Sequence, residues 1–435
     1  MTTTHETMPP VLAVRDLRVT VGAVPAVRGV SFDVPAGQVT ALVGESGAGK
    51  SLTARAVLGL APHGARILGS VRLDGEEIAG AGPAVYRRLW GRRVVYVPQD
   101  ALAVLSPVHP VGDQLAAAVR SVARVPRTEA RARAVAALDA VGIADAARRA
   151  RALPHEFSGG MRQRAVIAMA LINGPRLIVA DEPTTALDPR VREQVLDALT
   201  RSREATGAAL LLITHDLPLA TAHADHAVVL YAGRVTETGP ARQIFTAPGS
   251  PYTAGLVASL PPGWGAGATG VEGGFDGPKP GAPASAPAGG AAAAGPGDRV
   301  AGGSARGSDP AGGPAPGGPG APGTGGAGAG GAAAGAADVG AGPASVPLPR
   351  DPAGPRRDRW LPAIAGAPPS PFEVPAGCAF ASRCPMAVAL CREVEPPLED
   401  AGGGRLVACH RGSELPVPAT TLFPGPPQPP GEPLS

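Results

Sequence analysis

The sequence lacks an apolar run long enough to cross a bilayer, so any membrane association has to come through a partner. Its start, MTTTHETMPP, has neither the basic nor the apolar segment of a secretory leader, and the chain reads as cytoplasmic. It also lacks a strong charge of either sign. A formal net charge of +3 over 435 residues is too small an excess for a protein built around the phosphates of DNA or RNA, so no nucleic-acid partner is expected. Cysteine is scarce: there are four, Cys378, Cys384, Cys391 and Cys409, all near the C-terminus. In a chain without an export signal, clustered cysteines more often bind metal or do redox work than pair as disulfides.

Large side chains are nearly missing from one long stretch. Over residues 263–346 the composition collapses to Gly, Ala and Pro, which cannot bury enough surface to offset chain entropy. This predicts a disordered linker whose role is spacing. It separates a part of globular composition, 11–262, from a C-terminal part, 347–435, that holds all the cysteines and has little helical or strand periodicity. A small loop-rich unit of that kind needs a staple.

The globular part alternates short apolar strands with helical patterns. VTALV, RRVVYV, RLIVAD and ALLLIT are apolar on both faces and predict buried parallel strands; EARARAVAALDAVG predicts a helix closed by Gly142. Directly after VTALV comes GESGAGKS: Gly44, Glu45, Ser46, Gly47, Ala48, Gly49, Lys50 and Ser51. Glycines let a backbone wrap phosphate groups with its N–H groups inward, and a helix starting there turns its positive end to the anion. Lys50 would reach the β- and γ-phosphates and Ser51 would hold Mg²⁺. A glycine turn of this composition also arises by chance; the strand before it and the helical SLTARAVLGL after it favour the phosphate reading.

LIVADEP ends a buried strand on two acids. Asp181 would complete the Mg²⁺ shell, and Glu182 would orient or deprotonate an attacking water. Such a pair alone is usually a solvated strand end. Ser158, Gly159 and Gly160 precede a helical pattern beginning near Met161 and make a second anion-binding terminus. One nucleotide does not need two such sites, but a second copy's nucleotide would use one.

These motifs, in this order, resemble ATP-binding cassette (ABC) ATPases: the phosphate loop, Gln99 in YVPQD, FSGGM, Asp181 with Glu182, ALD at 186–188, and His215 in LLLITHD. The resemblance implies an α/β P-loop NTPase, with a RecA-like core, a helical subdomain and an antiparallel β part. It also implies that Gln99 senses Mg²⁺, that His215 contacts the γ-phosphate, that Asp188 lies at the interface of two cassettes, and that each cassette's signature completes the other's ATP site. There is one departure. The family stacks adenine on an aromatic residue where this chain has Val21, which offers no ring.

No long heptad arms and no second cassette occur here, which separates the chain from the chromosome, repair and ribosome-acting branches. PQDALAVLSPVHPVGDQL, PHEFSGGMRQR, PGSPYTAGLVASLP and the cysteine-containing LPAIAGAPPSPFEVPAGCAFASRCPMAVALCREVEPPL resemble ATPases of the oligopeptide/dipeptide (and nickel) importer group. That resemblance implies two integral-membrane permeases, a second ATPase subunit and an extracytoplasmic substrate-binding protein. It places residues 100–157, near Leu105 and His109, on the permease. Alternatives are import of nickel or another solute, or a non-transport ATPase with an iron- or redox-sensing module. The cysteines run C-x5-C-x6-C-x17-C with His410 adjacent, unlike paired zinc knuckles or ferredoxin spacings. Four thiolates suffice for Zn²⁺ or a [4Fe–4S] cluster, and the resemblance favours the cluster.

Overall fold

The computed structural model describes residues 9–100, 103–184, 189–260 and 364–423. The linker expected over 263–346 and the ALD triplet with Asp188 lie outside them.

β1 (Leu12–Val21) buries Leu12, Val14, Leu17 and Val19 and turns Arg15, Asp16 and Arg18 to solvent. The alternation slips by one residue between Val14 and Leu17, where the pairing register shifts and Asp16 takes φ 47°. β1 pairs with β2 (Val24–Val34) as a hairpin. β3 (Val39–Val43) runs into the glycine loop, which opens α1 (Lys50–Val57). β4 (Arg66–Leu73) and β5 (Glu76–Glu77) close a four-stranded antiparallel sheet in the order β2-β1-β4-β5.

α2 (Pro83–Leu89) leads to β6 (Val94–Val97). A helical stretch follows: α3 (Val111–Val122), α4 (Arg127–Ala140), α5 (Ala146–Arg149) and α6 (Gly159–Leu171). Gly142, at φ 74°, ends α4 as its sequence position predicts. The chain then alternates through β7 (Leu177–Asp181), α7 (Pro189–Thr206), β8 (Ala209–Ile213), α8 (Leu217–His223), β9 (His226–Tyr231) and β10 (Arg234–Pro240). α9 (Ala241–Thr246) and α10 (Pro251–Ala258) follow. Near the C-terminus are α11 (Ala389–Glu393), β11 (Glu399–Asp400) and β12 (Leu406–Val407).

The second sheet has eight strands in the order β11-β12-β10-β9-β3-β8-β7-β6. β6, β7, β8, β3 and β9 pair in parallel. Every residue of β3, β7 and β8 is buried, which is why their sequences are apolar on both faces. One core lies between this sheet, the antiparallel sheet and α1, around Leu17, Phe32, Leu42 and Leu211. Another joins the opposite face to the helical stretch through Val97, Leu115, Leu138, Ile167 and Leu212.

Residues 364–423 pack on the same body. β12 adds an antiparallel edge to β10, pairing Glu237 with Val407 and Thr238 with Leu406. Phe380 joins Tyr231 and Tyr252 in a third core, with ring centroids 4.5, 5.4 and 5.3 Å apart. Glu237 is fully buried beside this junction. Its carboxylate accepts the Gly249 and Ser250 N–H groups at 2.8 and 3.1 Å.

Candidate functional site

The glycine loop is held by close backbone approaches. Gly44 has φ 148°, and a Cβ there would lie 2.2 Å from the Leu230 carbonyl oxygen. Gly49 has φ 97°, with a Cβ 2.9 Å from the Ala26 oxygen. Only glycine meets both demands at once. Lys50 is 6% exposed, and its ammonium donates to the carbonyls of Gly44 and Glu45 at 2.8 and 2.9 Å. Burial lowers its pKa; Glu182, Asp181 and Glu45 oppose the shift.

The acid pair stands opposite, at the end of β7. Asp181 is buried, and each of its oxygens has a hydroxyl partner: Ser51 donates to Oδ1 at 2.8 Å and Tyr96 to Oδ2 at 2.7 Å. The Tyr96 hydroxyl is pushed to a higher pKa, first by burial, so it remains a donor. Glu182 has φ 48°, a left-handed conformation that costs a residue with a Cβ about 1–3 kcal/mol. Its N–H donates to the Ile213 carbonyl at 2.9 Å, which fixes the turn. Its carboxylate oxygen Oε2 lies 3.2 Å from His215 Nδ1 and accepts from Gln99 Nε2 at 3.4 Å. Lys50, Ser51, Asp181, Glu182, Gln99 and His215 are therefore linked by direct bonds or by charge. Hard oxygen donors at Ser51 and Asp181, with the Gln99 amide near Glu182, suit a Mg²⁺ ion.

Ser158, Gly159 and Gly160 belong to a different element. Ser158 caps α6, accepting the Met161 N–H at 3.3 Å, and both glycines lie inside the first turn rather than before it. Gly160 has a packing reason to be glycine: a Cβ would lie 2.1 Å from Val191 Cγ1 on α7. Among the described residues this terminus shares no hydrogen bond with the phosphate loop. Val21 is half-buried at the end of β1, paired with Val24.

The four cysteines, spread over 32 residues, line one cavity with Met386, Phe380 and Pro396. Burial raises the pKa values of Cys378 and Cys409 and pushes Cys384 up to about 11. Backbone N–H groups of Phe380, Met386 and Arg411 act in the opposite direction. Among the described residues no three His, Cys, Asp or Glu side chains are gathered as a metal-holding group. Thiols are the donor type that zinc and iron–sulfur centres use, but here they share a cavity without being gathered into such a group.

Sequence reasoning missed Tyr96, which reads as one more residue of an apolar strand, and Arg383, whose partners lie far off in sequence. It also put Leu105 on an outer surface. Leu105 is 4% exposed and packs in the helical core, while Val108 beside it is 74% exposed.

Two regions of the chain match known protein families. The family model described as ABC transporter matches residues 27–185, and that described as the oligopeptide/dipeptide transporter C-terminal region matches 236–268 and 347–391. The chain is 49% identical over 259 residues to the oligopeptide transport ATP-binding protein OppD of Mycobacterium bovis, covering 58% of this chain and 42% of that protein. It thus spans less than half the length of that relative. It is 41% identical over 260 residues to the dipeptide transport ATP-binding protein DppD of Bacillus subtilis, covering 58% and 78%. A probable peptide ABC transporter ATP-binding protein of Sinorhizobium fredii is 33% identical over 392 residues, 90% of each chain. Among the described residues no helix is long and apolar enough to cross a membrane. On loop, acids, signature and match together, the chain belongs to the ABC transporter ATP-binding proteins, in the branch that carries the oligopeptide/dipeptide C-terminal region.

Proposed function

We propose that this protein hydrolyses ATP to drive peptide import through a separate membrane permease. The observation that carries the reading is the convergence of Lys50, Ser51, Asp181, Glu182, Gln99 and His215 on one loop end. The loop amides and Lys50 bind the phosphates. Ser51, Asp181 and Gln99 would hold Mg²⁺, which supplies charge neutralisation on the β- and γ-phosphates. Glu182 orients the attacking water and accepts its proton, while His215, 3.2 Å away, steadies that carboxylate and faces the γ-phosphate. Ser158, Gly159 and Gly160 serve the nucleotide of a second ATPase subunit, homologous or identical, so two ATP molecules lie between two cassettes. Val21 supplies dispersion contact to the base without ring stacking.

Glu182→Gln tests the hydrolytic core. The amide keeps the shape and loses the base, so turnover should fall by about 10²–10⁴-fold with Mg-ATP still bound. ATPase activity in the mutant complex equal to wild type removes Glu182 from that role.

Peptide import rests on the C-terminal match and on the relatives' names. The assembly is two permeases, two ATPases and an extracytoplasmic binding protein, with this subunit on the inner face of the membrane. Exposed Val108 and His109 are the probes for the permease contact, replacing buried Leu105. Cysteines placed there should crosslink to permease loops; crosslinks confined to the antiparallel sheet instead reject the docking. The four cysteines of one cavity support a mainly structural [4Fe–4S] centre held by Cys378, Cys384, Cys391 and Cys409. Anaerobically purified protein should be brown, with iron and sulfide in about equal amounts. One zinc per chain would replace the cluster by a Cys₄ zinc site, and no metal would reject both.

A further inference from the structure

Glu45 stands out in the phosphate loop because its N–H and its carboxylate are both held by distant parts of the chain. Its N–H donates to the Tyr252 hydroxyl at 2.9 Å. Its carboxylate accepts a bidentate fork from Arg383, Nη1 to Oε2 at 2.7 Å and Nη2 to Oε1 at 3.0 Å. Arg383 comes from the C-terminal segment, beside Cys384, and its side chain is 5% exposed. It has no slack. Nε donates to the Ala365 carbonyl at 3.0 Å, Nη1 also to the Tyr231 hydroxyl at 3.1 Å, and Nη2 also to the Ile364 carbonyl at 3.3 Å. Five N–H donors thus meet five acceptors. The guanidinium carbon lies 5.8 Å from the ring centres of both Tyr231 and Phe380.

The connection continues past Glu45. The carbonyl of Glu45 accepts from the Lys50 ammonium at 2.9 Å, so the residue gripped by Arg383 is one that aims Lys50. We propose that Arg383 is a positioning residue of the nucleotide site: through Glu45 it holds the first turn of the phosphate loop, and with it Lys50, in the phosphate-binding conformation. The C-terminal segment is then part of the ATP site. This rests on reading the loop as the ATP site. A purely architectural ion pair would fasten the segment to the sheet and leave the loop indifferent.

The test uses the full chain, titrated with Mg-ATP by calorimetry and unfolded in urea in parallel. Arg383→Met keeps the aliphatic stem between the rings and removes the fork. If the loop then holds its competent conformation about one time in ten, affinity falls about tenfold. In the assembled ATPase the same loss appears in KM, with kcat retained. Arg383→Lys, a charge without the fork, should lose less, and it carries the test if the Met variant does not fold. Glu45→Gln should weaken binding alone but add little to Arg383→Met, as expected of one coupled pair. Wild-type Mg-ATP affinity in Arg383→Met or Arg383→Lys, with only a lowered urea midpoint, overturns the proposal. So do fully additive losses in the double variant. Failure of the wild-type chain to bind Mg-ATP, or undiminished binding by Lys50→Ala, instead rejects the ATP reading and this proposal with it.

Discussion

The acid pair and the cysteine cavity treat buried polar groups in opposite ways. At Asp181 each oxygen accepts from its own hydroxyl donor beside the phosphate loop. At the cavity, burial outweighs the backbone N–H groups that reach Cys378, Cys384 and Cys409, and the thiols are pushed toward the neutral form. The first arrangement stabilises an anion with fixed dipoles before any ligand arrives. The second leaves its sulfur atoms in need of a cation to become thiolates. Burial alone does not define a functional site; what burial is set against does.

Three variants break or sharpen that contrast. The largest effect is expected at Phe380, which closes the cysteine side with Tyr231 and Tyr252. Phe380→Ala should cost about 3–5 kcal/mol in urea unfolding and speed thiol labelling of Cys378 and Cys384. A loss within about 0.5 kcal/mol, the range of an ordinary surface change, with unchanged labelling would show that the ring cluster does not hold the cavity.

A second variant separates burial from charge at Glu237. Burial is the first cause raising its pKa above the ordinary carboxylate value, although Thr253, Gly249, Arg405 and Ser250 pull it back. The folded chain therefore keeps a proton that the unfolded chain has released. Its stabilisation is complete below the unfolded pKa, near 4.5, and is lost as pH rises through the folded value. Glu237→Gln cannot ionise. Its stability should improve relative to wild type by up to about 1.4 kcal/mol per pH unit across that window. A difference that stays constant from about pH 4.5 to neutrality removes this titration from the stability of the junction.

The smallest effect lies at the base. Val21→Tyr should add stacking worth on the order of 1 kcal/mol and shift the ATP/GTP preference a few-fold. An unchanged ratio assigns the adenine platform to another side chain.

The parallel strands and the phosphate loop were legible because their causes are local. VTALV is apolar at every position since both its faces are covered, and the Gly and Lys spacing is set within one turn of chain. The order of motifs also placed Gln99, Glu182 and His215 together, although they come from three strand ends. Tyr96 was not legible, since its role depends on the parallel register that sets β6 beside β7. Nor was the reason for Gly160, which is Val191 on another helix. The pairing of β12 with β10 was hidden for a third reason: two-residue strands carry no periodicity to read.

The Glu45–Arg383 pair also has a consequence in time. Its two halves lie 338 residues apart in the chain. At the usual 5–20 residues per second of ribosomal synthesis, the arginine follows the glutamate by roughly 20–70 s. Tyr252, 207 residues after Glu45, arrives in between. The phosphate loop is thus made before both of these tethers, which are added in turn. A nascent chain paused between residues 252 and 383 presents Glu45 held by Tyr252 without the arginine fork, so nucleotide affinity should rise once residue 383 has been added and folded into place.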